Sequence, residues 1–254
     1  NLCNEAALIA ARKEKKKVAK QDFLDAVDRI VGGLEKKNKI ITKDEKKTIA
    51  IHEAGHATIS WLLEYANPLV KVTIVPRGQS LGAAWYLPEE RSITTTEQLL
   101  DQMCSALGGR AAEELIFSKI STGALSDLEK ITKQAYAMVS IYGLNKRVGN
   151  RSFYDSQGRD TFTKPYSDET AKIIDEEVSL LIESQYQRAL KILTENKDKL
   201  EQLADKLLID EVIFKENLED MFGKRQWEPA EIVEDKENEK DSVEGEKSTP
   251  IETD

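Results

Sequence analysis

The sequence predicts a mainly α-helical chain with one small β-sheet or hairpin element. Two observations carry that reading: long Pro-poor stretches open on Ser/Thr capping signatures, and β-prone runs occur in only one place. No internal repeat appears. With 254 residues, 40% hydrophobic and 33% charged, the chain can bury one good core as one or two domains, which excludes a mostly disordered polypeptide.

The elements follow in order. Residues 2–12 are Ala-rich, and residues 21–31 place Phe23, Leu24, Val27 and Ile30 on one helical stripe that Gly32-Gly33 ends. Two short helices are too little core to stand alone, so they read as part of a helical subdomain whose remainder is absent. A Lys-rich connection over 35–39 leads on. Thr42-Lys43-Asp44-Glu45 is a capping box, and residues 43–64 then run without Pro, offering Ile49, Trp61, Leu62 and Leu63 for burial. Residues 70–75 and 81–87 are the β-prone runs, separated by Pro76-Arg77-Gly78-Gln79-Ser80.

Thr94-Thr95-Thr96-Glu97 opens a helix to Phe117 with Gly108-Gly109 in its interior. Each of these glycines costs roughly 1 kcal/mol relative to Ala, so the helix breaks there or another backbone packs very close. Ser126 and Glu129 read as a second capping box for a helix over 126–142, stopped by Gly143. After a polar loop-like stretch, Ser167 caps a long helix through Glu195, and helical segments over 197–208 and 215–222 finish the globular part.

The net charge of -9 is unevenly placed. Residues 229–254 hold ten Asp and Glu against three Lys and no aromatic residue, the composition of a disordered acidic tail. The remainder is nearly balanced. Arg12-Lys13-Glu14-Lys15-Lys16-Lys17 is short, interrupted and without clustered aromatics, so it reads as a solvated helix end rather than a nucleic-acid site. Cys3 and Cys104 provide neither a disulfide framework nor a Cys-x-x-Cys knuckle; both read as small core residues in a reducing compartment. No apolar run approaches the roughly 18 residues of a bilayer span, and no secretory signal is evident. The fragment is therefore expected to be soluble. It opens at Asn1 without Met, which leaves room for a membrane anchor upstream. There is no Gly-x-x-x-x-Gly-Lys-Ser/Thr loop, so this chain by itself is not expected to bind ATP.

The chemistry concentrates in His52-Glu53-Ala54-Gly55-His56. On a helix, positions 52 and 56 project from one face about 6 Å apart, so two imidazoles reach one tetrahedral metal while Glu53 lies beside it. These are the only two histidines in the chain. Placed at random, two histidines would fall four apart with Glu after the first about once in a thousand. The same count makes the third ligand Asp or Glu, with Cys104 a poor outsider. Glu113 and Glu114 are one candidate pair, otherwise a solvated face. Asp127, after Ser121-Thr122-Gly123-Ala124, is the other, its bland role being a carboxylate at a helix N-terminus. Spacing does not choose between them.

The sequence resembles the FtsH-type membrane-anchored ATP-dependent zinc metalloproteases. The resemblance rests on the His-Glu-Ala-Gly-His motif together with Val72-Thr73-Ile74-Val75-Pro76-Arg77-Gly78, Leu81-Gly82, Leu107-Gly108-Gly109-Arg110-Ala111-Ala112-Glu113-Glu114, Ser121-Thr122-Gly123-Ala124, Asp127-Leu128 and Tyr166-Ser167-Asp168-Glu169-Thr170-Ala171. It implies a zincin-type peptidase domain over 38–228, preceded in 1–37 by the last helices of an ATPase lid. It also implies one zinc per subunit on His52, His56 and Asp127, Glu53 as the catalytic base, and at most a supporting role for Glu113 and Glu114. ATP and Mg2+ would belong to an upstream ATPase module. By the same resemblance the subunits form a homo-hexamer acting on unfolded or membrane-extracted proteins. The resemblance further implies that the full-length protein sits in the inner (plasma) membrane with its peptidase domain on the cytoplasmic side, or in the organelle equivalent.

Two other readings compete. One is a free-standing zinc peptidase independent of ATP. The other is a non-enzymatic assembly module, against which stand a site with only three evident ligands and a Glu53 that would have no task.

Overall fold

The structure is a computed structural model that describes residues 2–35, 41–78, 81–87, 92–154 and 165–227. The acidic tail, the junction at 37/38 and much of the loop before Ser167 lie outside these residues. The described elements are eight α-helices and three short strands, a mainly α architecture as the sequence predicts.

Helices α1 (Leu2–Arg12) and α2 (Lys20–Val31) form a small unit. Its buried apolar residues are Ala6, Ile9, Ala10 and Ala26, while Phe23 and Ile30 of the expected stripe are exposed. Cys3 is exposed too, a correction to its reading as a core residue; only Cys104 is buried. Two members of the basic cluster at the end of α1 are paired locally. Lys15 contacts the buried Asp22 at 2.7 Å and Lys13 contacts Asp25 at 2.5 Å. The Lys15 hydrogen bond and the Ala19 N–H hold the Asp22 carboxyl below its ordinary range. A depressed carboxylate contributes stability that is present above its unfolded pKa of about 3.9 and is lost as pH falls through the folded value. Acidification below about pH 4 should therefore loosen the contact that Asp22 makes between α2 and the end of α1. Residue-resolved hydrogen exchange should show this, and uniform loss across the chain would contradict it.

Helix α3 (Lys43–Leu62) starts at the expected capping box, with Thr42 and Glu45 exchanging hydrogen bonds. All residues from Ile49 to Trp61 are buried. A helix buried all round lies at the centre of its domain. Around it pack α4 (Thr96–Phe117), α6 (Asp168–Glu195) and α7 (Lys197–Asp210). α4 runs unbroken through Gly108-Gly109, so of the two expectations close packing holds; its cap is Thr95 with Gln98, one residue later than expected. The Ser126/Glu129 box does not form. α5 (Leu125–Tyr136) instead grows from a 3-10 turn at Thr122–Ala124 capped by Ser121, and Glu129 pairs with Lys133. A π turn over Ala137–Ile141 carries the chain to Gly143, whose φ of +65° suits glycine.

Strands β1 (Leu69–Thr73) and β2 (Ala83–Tyr86) form the expected antiparallel pair. A third strand, β3 (Val212–Phe214), pairs antiparallel with the other side of β1 before α8 (Lys215–Phe222), giving the order β2-β1-β3. Val212-Ile213-Phe214 falls between the expected helical segments 197–208 and 215–222, although its β-branched and aromatic residues are a short strand signal. β2 thus forms one edge of the sheet. Among the described residues no helix is long and apolar enough to cross a membrane.

Candidate metal centre

Helix α3 brings His52 and His56 together with ring centroids 4.7 Å apart. Each ring is aimed through its Nδ1. That of His52 lies 2.7 Å from Glu113 Oε1, and that of His56 lies 2.9 Å from the Ser105 carbonyl oxygen. A carbonyl only accepts, so the His56 proton sits on Nδ1; the Glu113 carboxylate favours the same tautomer on His52. The two Nε2 atoms then converge, 3.1 Å apart. Asp127, in the first turn of α5, places Oδ2 3.5 Å from each of them.

This triangle fits a zinc ion. Tetrahedral bonds of about 2.0–2.1 Å hold donor atoms about 3.3 Å apart, and two imidazoles with a carboxylate are donors zinc accepts. Among the described residues no fourth His, Cys, Asp or Glu joins the group, whereas closed structural sites use four protein ligands.

The electrostatics favour positive charge at the same point. Burial opposes charge on His52, but the Asp127 and Glu113 carboxylates outweigh it and lift its pKa to about 10. Burial also opposes ionisation of Asp127, and His52 and His56 overcome it, holding the carboxyl far below its usual range. Glu53 differs: burial raises its pKa, against the pull of the two histidines. A carboxylate made more basic by its surroundings is suited to accepting a proton.

Glycines make the room. A Cβ on Gly55 would fall 2.3 Å from the Gly108 carbonyl oxygen, so α3 and α4 touch backbone to backbone. A Cβ on Gly109 would fall 2.4 Å from His52 Nε2, and one on Gly82 would fall 2.8 Å from Glu53 Oε1. Gly82 immediately precedes β2, so this contact seats the edge strand beside Glu53.

Of the candidate third ligands, the structure brings Asp127 to the two imidazoles. Glu113, 2% exposed, holds His52 with one oxygen and accepts the Ser121 N–H with the other at 2.7 Å. Glu114 is exposed and contacts the Tyr186 hydroxyl. Cys104 is buried in the core outside the group, its thiol pushed up to about 12 by burial. Sequence reasoning missed the Ser105 carbonyl, which no side-chain pattern reveals. It also missed Gly82, whose signal was a glycine inside a β-prone run.

Asp127→Asn should weaken zinc binding by more than about a hundredfold and Glu113→Gln by about ten- to a hundredfold, with Glu114→Gln unchanged. Competition with a chromophoric chelator measures all three. A larger loss for Glu114→Gln than for Asp127→Asn would reverse the assignment.

Residues 39–221 match peptidase family M41. The chain belongs to that family. It is 66% identical over 228 residues to an ATP-dependent zinc metalloprotease FtsH of Parabacteroides distasonis, covering 89% of this chain and 33% of the relative. Identity is 54% over 233 residues to the Rhodothermus marinus protein of the same name, covering 89% and 33%. A mitochondrial inner membrane m-AAA protease component of Mus musculus is 49% identical over 226 residues, covering 89% and 28%. The chain thus spans about a third of the length of the curated relatives it matches. The family assignment agrees with the resemblance carried by the motifs, and the two bacterial relatives are named as zinc metalloproteases.

Proposed function

We propose that the chain is the zinc endopeptidase region of an ATP-dependent, membrane-anchored protease. The observation that supports this most is the convergence of His52 Nε2, His56 Nε2 and Asp127 Oδ2 with the buried Glu53 alongside. The three donors would hold a zinc ion, which would supply there a Lewis acid able to polarise a peptide carbonyl and to lower the pKa of water towards about 7. The Glu53 carboxylate takes the proton of the attacking water and returns it to the departing amide nitrogen. Glu113 and Ser105 keep the two imidazoles in register throughout. An extended polypeptide adds to an exposed edge of the 70–87 unit by main-chain hydrogen bonds, a mode that tolerates varied sequence.

The wider assignment follows the motif resemblance and, for the tail, composition. Residues 1–37 are read as the end of an ATPase lid, 38–228 as the peptidase domain and 229–254 as an acidic disordered tail. The protein assembles as a homo-hexamer, anchored in the inner (plasma) membrane or its organelle equivalent by a segment outside this chain, and degrades unfolded or membrane-extracted proteins. The peptidase faces the cytoplasmic side or the organelle counterpart. ATP and Mg2+ act in the ATPase module, and nucleic acid is no partner.

Metal analysis of the purified protein should find one zinc per chain. Cleavage of an unstructured peptide should stop on chelation and return with zinc, and a backbone N-methylated peptide should bind more weakly. Chelator-resistant cleavage would remove the metal role. Unaltered binding of the N-methylated peptide would remove the strand-addition mode.

A further inference from the structure

The mechanism uses the side of the sheet that faces α3 and leaves an unusual group on the other side. Lys71, in the middle of the central strand β1, is only 8% exposed. A buried ammonium needs a partner, and this one has two of different kinds. Its Nζ forms an ion pair with Asp28 of α2 and lies 5.2 Å from the ring centroid of Trp85, its cross-strand neighbour on β2. Asp28 also reaches Arg77 at 3.7 Å.

The end of α2 is moulded to the same place. A Cβ on Gly32 would fall 3.2 Å from the Trp85 ring and 3.4 Å from Arg77 Cδ, and the Gly78 N–H donates to the Leu34 carbonyl at 3.2 Å. Trp85 is therefore held between α2 and Lys71. The strand that carries it begins just after Gly82, which bears on Glu53. The path from Asp28 to the base crosses one ammonium, one indole and one short strand.

We infer that Lys71 is a positioning residue: paired with Asp28, it presses Trp85 and so fixes the edge strand β2 against Glu53, tying the α1–α2 unit to the peptidase site. A charge-assisted hydrogen bond and a partly desolvated cation–π contact share one Nζ, so loss of Asp28 weakens the hold on Trp85 even though Lys71 remains. The functional consequence rests on the peptidase reading, whereas the mechanical claim about β2 stands apart from it.

Both are tested on the full chain loaded with zinc. Lys71→Met keeps the length of the stem and removes the charge; Asp28→Asn removes the partner and keeps its size. Each should speed amide exchange over residues 83–86 about tenfold, with α3, α4 and the zinc affinity unchanged. The double variant should be no worse than either single one. For an extended peptide, KM should rise several-fold with kcat retained. Lys71→Arg, which keeps the cation and its stacking, should restore much of the protection. Exchange at 83–86 that stays at the wild-type rate would overturn the inference, as would additive effects of the two substitutions. Faster exchange throughout α3 and α4 would equally overturn it, by showing a general loss of packing. If exchange at β2 responds as expected but no variant or parent cleaves peptide, the positioning claim holds and the peptidase reading fails.

Discussion

Replacing Glu53 by Gln should lower kcat for peptide cleavage at least about a hundredfold while KM and zinc content stay as they are. Gln matches the shape of Glu, and at this position shape matters, because the side chain lies where a Cβ on Gly82 would meet it. Neutralising the group should not harm the fold. Burial already disfavours the charged form of Glu53, and removing a buried charge that the fold does not need for pairing relieves desolvation. The melting temperature should therefore be unchanged or slightly higher, which separates a chemical loss from a structural one. Unchanged cleavage by the variant would refute the role of Glu53 as base. Loss of zinc along with activity would instead mean that Glu53 supports the metal.

Much of this site was legible in the sequence because a helix converts spacing into direction. His52, Glu53 and His56 needed only the 3.6-residue period to be placed around one point, and the Thr42–Glu45 box that starts their helix is a local signal. The third donor was different. Asp127, Glu113 and Glu114 all sat in plausible places, and what separates them is which carboxylate the fold returns to α3. That depends on the tight turn over residues 118–124 and on a 3-10 start to α5 that no capping pattern announced. Only the family resemblance pointed to Asp127. Strand β3 was missed for a related reason: three residues pair through a partner more than a hundred positions away, and nothing local distinguishes them from a turn between two helices. In α1–α2 the helices were legible, but the buried face of α2 was not: Phe23 and Ile30 of the expected stripe are exposed and Leu24 and Val27 only half-buried, whereas Asp22 and Ala26 lie inside.

The glycines where α3 and α4 meet carry the second large effect, and substitutions at Gly109 and Gly55 should fail in different ways. In an exposed helix, Gly→Ala gains up to about 1 kcal/mol, so any loss must come from contact. At Gly109 the new methyl would lie 2.4–2.6 Å from three atoms of the His52 ring. That ring cannot simply swing aside, because Glu113 holds its Nδ1 and Glu113 is itself tied to the Ser121 N–H. The imidazole must leave its register, and with it the convergence on His56 and Asp127. Gly109→Ala should accordingly lose zinc affinity by about a hundredfold or more, with a melting point close to that of the metal-free parent. At Gly55 the obstruction is the Gly108 carbonyl at 2.3 Å and the Ala112 methyl at 2.6 Å, backbone and core rather than a side-chain tip. There the two central helices must part, which strips packing from both along their length. Gly55→Ala should cost about 3 kcal/mol or more and reduce the yield of folded protein, with metal binding lost as a consequence of unfolding. Thermal melts and chelator competition run on both variants decide the matter. A stable, zinc-tight Gly109→Ala protein would mean that His52 has freedom to move, and the rigidity assigned to the Glu113–Ser121 support would have to be given up.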